Sequence, residues 1–161
     1  MDAFEALYRN SSGKVYRYLL SLTGSPERAE ELTAETFYRA YLHIDRFQGR
    51  SSVDTWLFSI AKNVWRTEQR RAGRFTDLPE DIPEEGDPLS GVEDHDSAMR
   101  IHQALHRLPE PFREVFTLRV FGELKFADIG AIFGKSESWA KMTFYRGKDK
   151  LLTLLDEEES L

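Results

Sequence analysis

A run of basic and amide side chains on one predicted helix has the composition of a surface that grips nucleic acid. Its members are Lys62, Asn63, Arg66, Gln69, Arg70, Arg71 and Arg74. Lys and Arg neutralise phosphates and release their condensed counterions, and Asn and Gln can reach base edges. The same residues also fit a solvated helix face with cations near a C-terminus. Composition alone leaves both interpretations open.

A second polar cluster follows Gly134 and includes Ser136, Glu137, Ser138, Lys141 and Arg146. Two helical stretches joined by a tight glycine-containing turn form a helix-turn-helix pattern. In that motif the first residues of the second helix meet base edges in the major groove. The pattern by itself is weak, because helical hairpins that bind no DNA are common.

The remaining polar residues give little support to catalysis. The chain has no Cys, which excludes disulfides, thiolate metal sites and thiol nucleophiles. It contains no P-loop and no Gly-x-Gly-x-x-Gly sequence. His102 and His106 are spaced i, i+4 and could share a metal with His95, but no His-Glu-x-x-His motif accompanies them. We predict a protein that is not an enzyme and that needs no metal or cofactor.

Three amphipathic helices are predicted in the N-terminal part of the chain, each with apolar residues at helical spacing. Ser25 and Pro26 give the second helix an N-cap and a first-turn proline. Ser51 with Asp54 resembles a capping pair for the third helix. Three aromatic residues of the third helix are expected in the core, although Phe58 and Trp65 could instead stack on an unpaired base; they are Trp56, Phe58 and Trp65.

The C-terminal part also shows helical spacing only. Gly134 is a plausible left-handed C-cap, and Ser136 can cap the last helix. The outer face of that helix is predicted to carry Thr143, Tyr145, Arg146 and Lys148. No stretch of the chain alternates with period two, so the expected fold is all-α.

The charge distribution divides the chain into two modules. The net charge is −6, made of +3 over residues 1–74, −9 over residues 75–97 and 0 over residues 98–161. The middle segment has nine acids and no Lys or Arg, with several Pro and Gly. It cannot bury enough apolar surface to offset its ordering entropy. We therefore predict two small helical domains, 1–74 and 98–161, joined by an acidic flexible linker, 75–97.

Four stretches together resemble a known family, the extracytoplasmic-function (ECF) sigma factors of the sigma-70 family. They occur in the family's order and spacing and span most of the chain: 25–41, 47–63, 108–116 and 134–151. They are similar, in turn, to the helix that docks on the polymerase clamp, the −10 recognition loop and helix, the opening of the −35-binding domain, and its recognition helix. The resemblance implies a sigma factor that binds core RNA polymerase and directs promoter recognition and opening.

The resemblance also implies roles for individual residues in the first domain. Docking on the polymerase clamp would use Glu31, Glu35, Phe37 and Arg39. Capture of a flipped base of the −10 element would use Arg46, Gln48, Gly49, Arg50, Ser51 and Ser52. The adjacent strand and its phosphates would be held by Lys62, Asn63, Arg66 and Arg70.

In the second domain, the resemblance implies that the −35 element of promoter DNA is read or gripped by Ser136, Glu137, Ser138, Lys141 and Arg146. An anti-sigma factor is the family's usual restraint, so one is an expected partner. Several positions depart from the family pattern, namely Glu31, Ala34, Lys125, Trp139 and Thr143. The promoter sequence therefore cannot be inferred from relatives.

The sequence also bears on the cellular location of the protein and on two alternative functions. No apolar run approaches the roughly 20 residues that span a bilayer, and the acidic N-terminus lacks a signal peptide's basic start. We expect a cytoplasmic protein without direct membrane insertion. The alternatives are a stand-alone helix-turn-helix regulator, which would bind duplex DNA tightly by itself, and an interaction module that has lost DNA binding.

Overall fold

A computed structural model describes residues 3–47, 52–75 and 93–160. Its elements are α1 (Ala3–Thr23), α2 (Pro26–His43), a short 3-10 helix (Ile44–Arg46), α3 (Val53–Phe75), α4 (Glu93–Arg107), α5 (Phe112–Val120), α6 (Phe126–Phe133) and α7 (Glu137–Ser160). No strand occurs in these ranges, so the prediction of an all-α fold is confirmed. Below, α1–α3 are called the first domain and α4–α7 the second domain.

Most of the predicted helix ends are present. The Ser25 hydroxyl accepts a hydrogen bond from the backbone N–H of Arg28 at 3.2 Å, and Pro26 opens α2. Gly134 ends α6 with a φ of 69°, the left-handed conformation that favours glycine. The Ser136 hydroxyl accepts from the backbone N–H of Trp139 at 3.0 Å, which caps α7. One boundary differs, because α4 begins at Glu93, inside the segment assigned to the linker.

The cap of α3 also differs from the prediction. The capping residue is Ser52, whose hydroxyl accepts from the backbone N–H of Thr55 at 3.1 Å. Ser51 lies outside the described residues. The Asp54 carboxylate instead bonds to α1, with the Ser11 hydroxyl at 2.8 Å and the Lys14 ammonium at 3.0 Å. A carboxylate within reach of a neighbouring helix thus ties two helices together rather than capping its own.

The core of the first domain is built from the apolar stripes of its three helices. Phe58 is fully buried and Trp65 nearly so, which confirms the prediction that both belong to the core. Tyr18 meets Phe58 edge-to-face, with ring centroids 5.4 Å apart. A smaller core inside the second domain contains Ala104, Leu105, Leu108, Phe116 and Leu151.

The two domains pack directly against each other. Helix α1 contacts α4 and α5, and α3 contacts α6. Apolar residues of the second domain join the core of the first, namely Val115, Leu118, Leu124, Ile129 and Ala140. Sequence patterning predicts each domain's own core but gives no sign of this shared one.

Candidate nucleic-acid interface

Helix α3 presents a polar stripe to solvent. Asn63, Arg66 and Arg70 are all exposed. Their spacing of three and four residues places them on one face, separated along the axis by roughly 4.5 to 6 Å at each step. Three of the four residues predicted to hold the strand therefore lie together and are free to meet it.

Lys62, the fourth residue of that set, lies elsewhere. Its ammonium donates to Glu114 Oε1 at 2.9 Å, and the side chains of the pair are both 7% exposed. It also stands over the Phe133 ring, 3.9 Å from the centroid. Lys62 precedes Arg66 by one helical turn, and its side chain reaches into the second domain. In this arrangement it cannot touch DNA.

The predicted −10 loop is only partly described. Arg46 is exposed at the end of the 3-10 helix, and Ser52 is exposed at the start of α3. Beside them, the Phe47 and Trp56 rings lie 5.4 Å apart and fix the two ends of the loop. The remaining predicted residues lie outside the described ranges: Gln48, Gly49, Arg50 and Ser51.

The predicted docking helix, α2, has a distinct outer face. Glu31 is exposed, and the Glu35 carboxylate accepts from Arg39 Nε at 2.8 Å one turn later. Phe37 differs from these three, since it is 3% exposed and packs between the rings of Phe4 and Tyr8. Its ring is thus placed to hold α2 on α1 rather than to touch a partner.

Sequence reasoning missed the exposed apolar residues on the same helix. Tyr38 and Tyr41 are both more than half exposed, and Leu42 is 49% exposed. Tyr41 follows Phe37 by one helical turn, so helical spacing alone would place it on the buried side. Amphipathic side chains of this kind are enriched in protein interfaces.

The N-terminal part of α7 leaves its side chains open to solvent. Five predicted readers of the −35 element are exposed: Ser136, Glu137, Ser138, Lys141 and Arg146. The Ser136 hydroxyl is engaged in the cap. Glu137, Ser138 and Lys141 therefore hold the positions where a recognition helix meets bases. Exposed Met142 and Tyr145 extend the same face.

The prediction that Thr143 lies on the outer face of α7 is wrong, because Thr143 is 6% exposed. The helical period explains the error: Ala140, Thr143, Gly147 and Leu151 follow one buried stripe. A Cβ at Gly147 would lie 3.2 Å from Phe112 Cβ, so this position has little room for a side chain. The family departures at Trp139 and Thr143 consequently concern packing, since Trp139 rests against Phe133 with centroids 5.2 Å apart.

Comparison with known proteins identifies both halves of the chain. Residues 7–75 match the family model "Sigma-70 region 2" and residues 98–151 match "Sigma-70, region 4". The ECF RNA polymerase sigma factor SigM of Bacillus subtilis is 30% identical over 155 residues, covering 93% of each chain. This chain belongs to the ECF sigma factors of RNA polymerase. The sigma factor is therefore a transcription initiation factor.

Other relatives agree along the length of the chain. RNA polymerase sigma factor YlaC of Bacillus subtilis is 30% identical and is matched over 98% of its length. ECF RNA polymerase sigma factor SigE of Mycolicibacterium smegmatis is 32% identical, and this chain spans 64% of it. The fold resembles that of sigma factor RpoE solved with the anti-sigma factor NepR from Bartonella quintana. That match has a TM-score of 0.80 at 22% identity and covers 97% of this chain and 98% of the other.

His102 and His106 of the sigma factor engage separate partners. His102 Nδ1 lies 2.8 Å from the Ser21 hydroxyl, and its ring stacks on Phe121. His106 Nδ1 is 3.4 Å from a guanidinium nitrogen of Arg113. Burial, together with the nearby Arg17 charge, lowers the pKa of His102 to about 4. The described residues contain no group of three potential metal ligands, and none of their helices is long and apolar enough to cross a membrane.

Proposed function

We propose that this sigma factor docks on core RNA polymerase through the outer face of α2 and holds the −10 strand with α3. In the same assembly it grips the −35 element with α7. The domains assigned to these tasks are 1–74 and 98–161. The protein itself performs no catalysis and works in the cytoplasm.

The observation that carries the proposal is the exposed polar stripe Asn63, Arg66 and Arg70 on α3. It lies on the helix that follows the predicted base-capturing loop, and that helix is fixed by a buried aromatic core. Base capture needs a rigid support because unstacking a base costs a few kcal/mol. A basic stripe on such a support provides the phosphate contacts that position the strand.

Docking is supported by the composition of α2. Its outer face combines the Glu35–Arg39 ion pair with the exposed rings of Tyr38 and Tyr41. Aromatic side chains beside charged groups are typical of specific protein interfaces. Phe37 contributes by fixing α2 from the inside.

An anti-sigma factor is the proposed restraint. Two proteins with this fold were solved bound to a partner: the sigma factor RpoE with the anti-sigma factor NepR, and CnrH with the cytosolic domain of CnrY. The CnrH match has a TM-score of 0.71 at 22% identity and covers 96% of this chain and 88% of that one. The exposed apolar side chains of α2 and α7 are suitable surfaces for a partner of this kind.

The test separates strand holding from docking. The double variant Arg66→Ala with Arg70→Ala should bind core polymerase normally but open promoters poorly. The plot of log affinity for the opened strand against log salt should become less steep by about 1.4, since two single-strand phosphate contacts are lost. A matched control, Arg9→Ala with Arg100→Ala, removes two exposed arginines outside the proposed surfaces. An equal loss of docking, or the same effect in the control, would defeat the assignment.

A further inference from the structure

The boundary between the two domains contains a charged pair that is almost completely removed from water. The Lys62 ammonium on α3 and the Glu114 carboxylate on α5 come from opposite sides of it, 2.9 Å apart. The Tyr18 hydroxyl lies 3.4 Å from the same carboxylate oxygen. Burial, aided by the Glu114 charge, raises the pKa of Tyr18 well above its ordinary value, so Tyr18 stays neutral and donates to Glu114.

Apolar packing surrounds the Lys62–Glu114 pair. Phe58 reaches the second domain at Gly122, where a Cβ would lie 3.1 Å from the ring. Phe133 covers the Lys62 ammonium from α6, the helix that precedes the predicted DNA-reading helix. With both domains closed, water therefore has little access to either charge.

Closing the domains places a carboxylate of the chain where Lys62 would otherwise meet an anion. We propose that Glu114 is an internal substitute for a DNA phosphate, and that the Lys62–Glu114 pair keeps the free sigma factor in a closed, autoinhibited state. This inference rests on the proposed role of α3 in holding DNA. Opening would free the Lys62 side chain to bind DNA beside Arg66 and Arg70 on the same helix. It would also separate the two promoter-binding domains.

The energetics of buried ion pairs make this contact suited to a switch. A buried pair gains little over apolar residues of the same size, because both ions lose their hydration. Removing only one partner is strongly unfavourable, since the other charge stays buried and unpaired. The closed state is thus stable only while both charges are present and paired. A polyanion or a polymerase surface that binds the open form would shift the population toward it.

The chain has no Cys, so one introduced thiol reports on opening. Ser21 is fully buried and its hydroxyl bonds to His102 of the second domain, so an S21C thiol should react only when the domains separate. Ser11 is equally buried but bonds to Asp54 within the first domain, so S11C is the matched control for local unfolding. The full-length chain is used throughout.

Glu114→Gln keeps the shape of the side chain and removes its charge. In the S21C background it should speed labelling by on the order of a hundredfold, because Lys62 becomes a buried unpaired charge in the closed state. Labelling in the S11C background should stay unchanged. Adding Lys62→Met to Glu114→Gln should slow S21C labelling again, since an apolar side chain can then lie against Phe133.

Three results would overturn the proposal: unchanged S21C labelling in Glu114→Gln, an equal acceleration in the S11C background, or no recovery in the double variant. If Glu114→Gln does not fold, Lys62→Met alone disrupts the same ion pair by removing its cation. This variant must also speed S21C labelling. Transcription by the wild-type chain with core polymerase is measured in parallel. Its absence would refute the proposed function, whereas the labelling rates test the pair independently.

Discussion

Acidification should weaken the packing between the domains through His102. This side chain of α4 contacts Ser21 of α1 and stacks on Phe121, while Arg17 adds a like charge nearby. Burial is the main cause that lowers the pKa of His102 to about 4, against about 6.5 when the ring is exposed. The neutral imidazole fits the site and the imidazolium does not.

Both the direction and the size of the change in stability with pH follow from these two pKa values. Above the exposed pKa, His102 is neutral in both states and has no effect on stability. Between the two values the unfolded chain binds the proton first, so stability falls as the pH falls. From about pH 7 to about pH 5 the loss is roughly 2 kcal/mol. Glu110 acts in the opposite direction, because burial raises the pKa of its carboxyl group and acid relieves that cost.

The assay is urea unfolding of the full chain across this pH range, with His102→Phe as the reference. Phenylalanine keeps a ring that can stack on Phe121 but does not titrate, so the difference between the two profiles isolates His102 from Glu110. The wild type should lose roughly 2 kcal/mol more than the variant over the acid range. Parallel profiles would contradict this role of His102, as would a wild type that gains stability relative to the variant.

Further substitutions test the description of α7. Ser136→Ala removes the N-cap and should lower the free energy of unfolding by about 1 kcal/mol; no change on thermal unfolding would argue against the cap. Thr143→Arg should destabilise the fold by several kcal/mol because it buries a charge, whereas Met142→Arg at the exposed neighbour should be nearly neutral. Equal stability of these two variants would mean that Thr143 faces solvent after all. Lys141→Ala should impair promoters that depend on the −35 element, and unchanged selectivity in a promoter library would count against its recognition role.

Local signals in the sequence were sufficient to locate the start of α2, the end of α6 and the start of α7. Ser25, Gly134 and Ser136 each satisfy backbone groups within a few residues, so their roles depend on neighbours in the sequence. The cap of α3 was misplaced by one position. Both Ser51 and Ser52 precede the helix, so either could cap it. Asp54 bonds instead to Ser11 and Lys14 of α1, which are distant in sequence.

Which side of a helix is exposed was harder to predict where a second domain covers it. Lys62 sits within a basic run and seemed to share the role of its neighbours, yet its partner Glu114 is 52 residues away. Nothing in the spacing of either residue signals the pairing. Thr143 was misassigned for a related reason, since a small polar residue gives no hydropathy cue and only the stripe from Ala140 to Leu151 reveals its side.

Transcription in vitro tests most directly whether this chain directs RNA polymerase to promoters. The direct measurement adds the purified protein to bacterial core RNA polymerase with a fragmented genomic library from the source organism and maps the transcript starts. We expect discrete new starts that share sequence near −10 and −35. An absence of new starts together with no binding to core polymerase would contradict it.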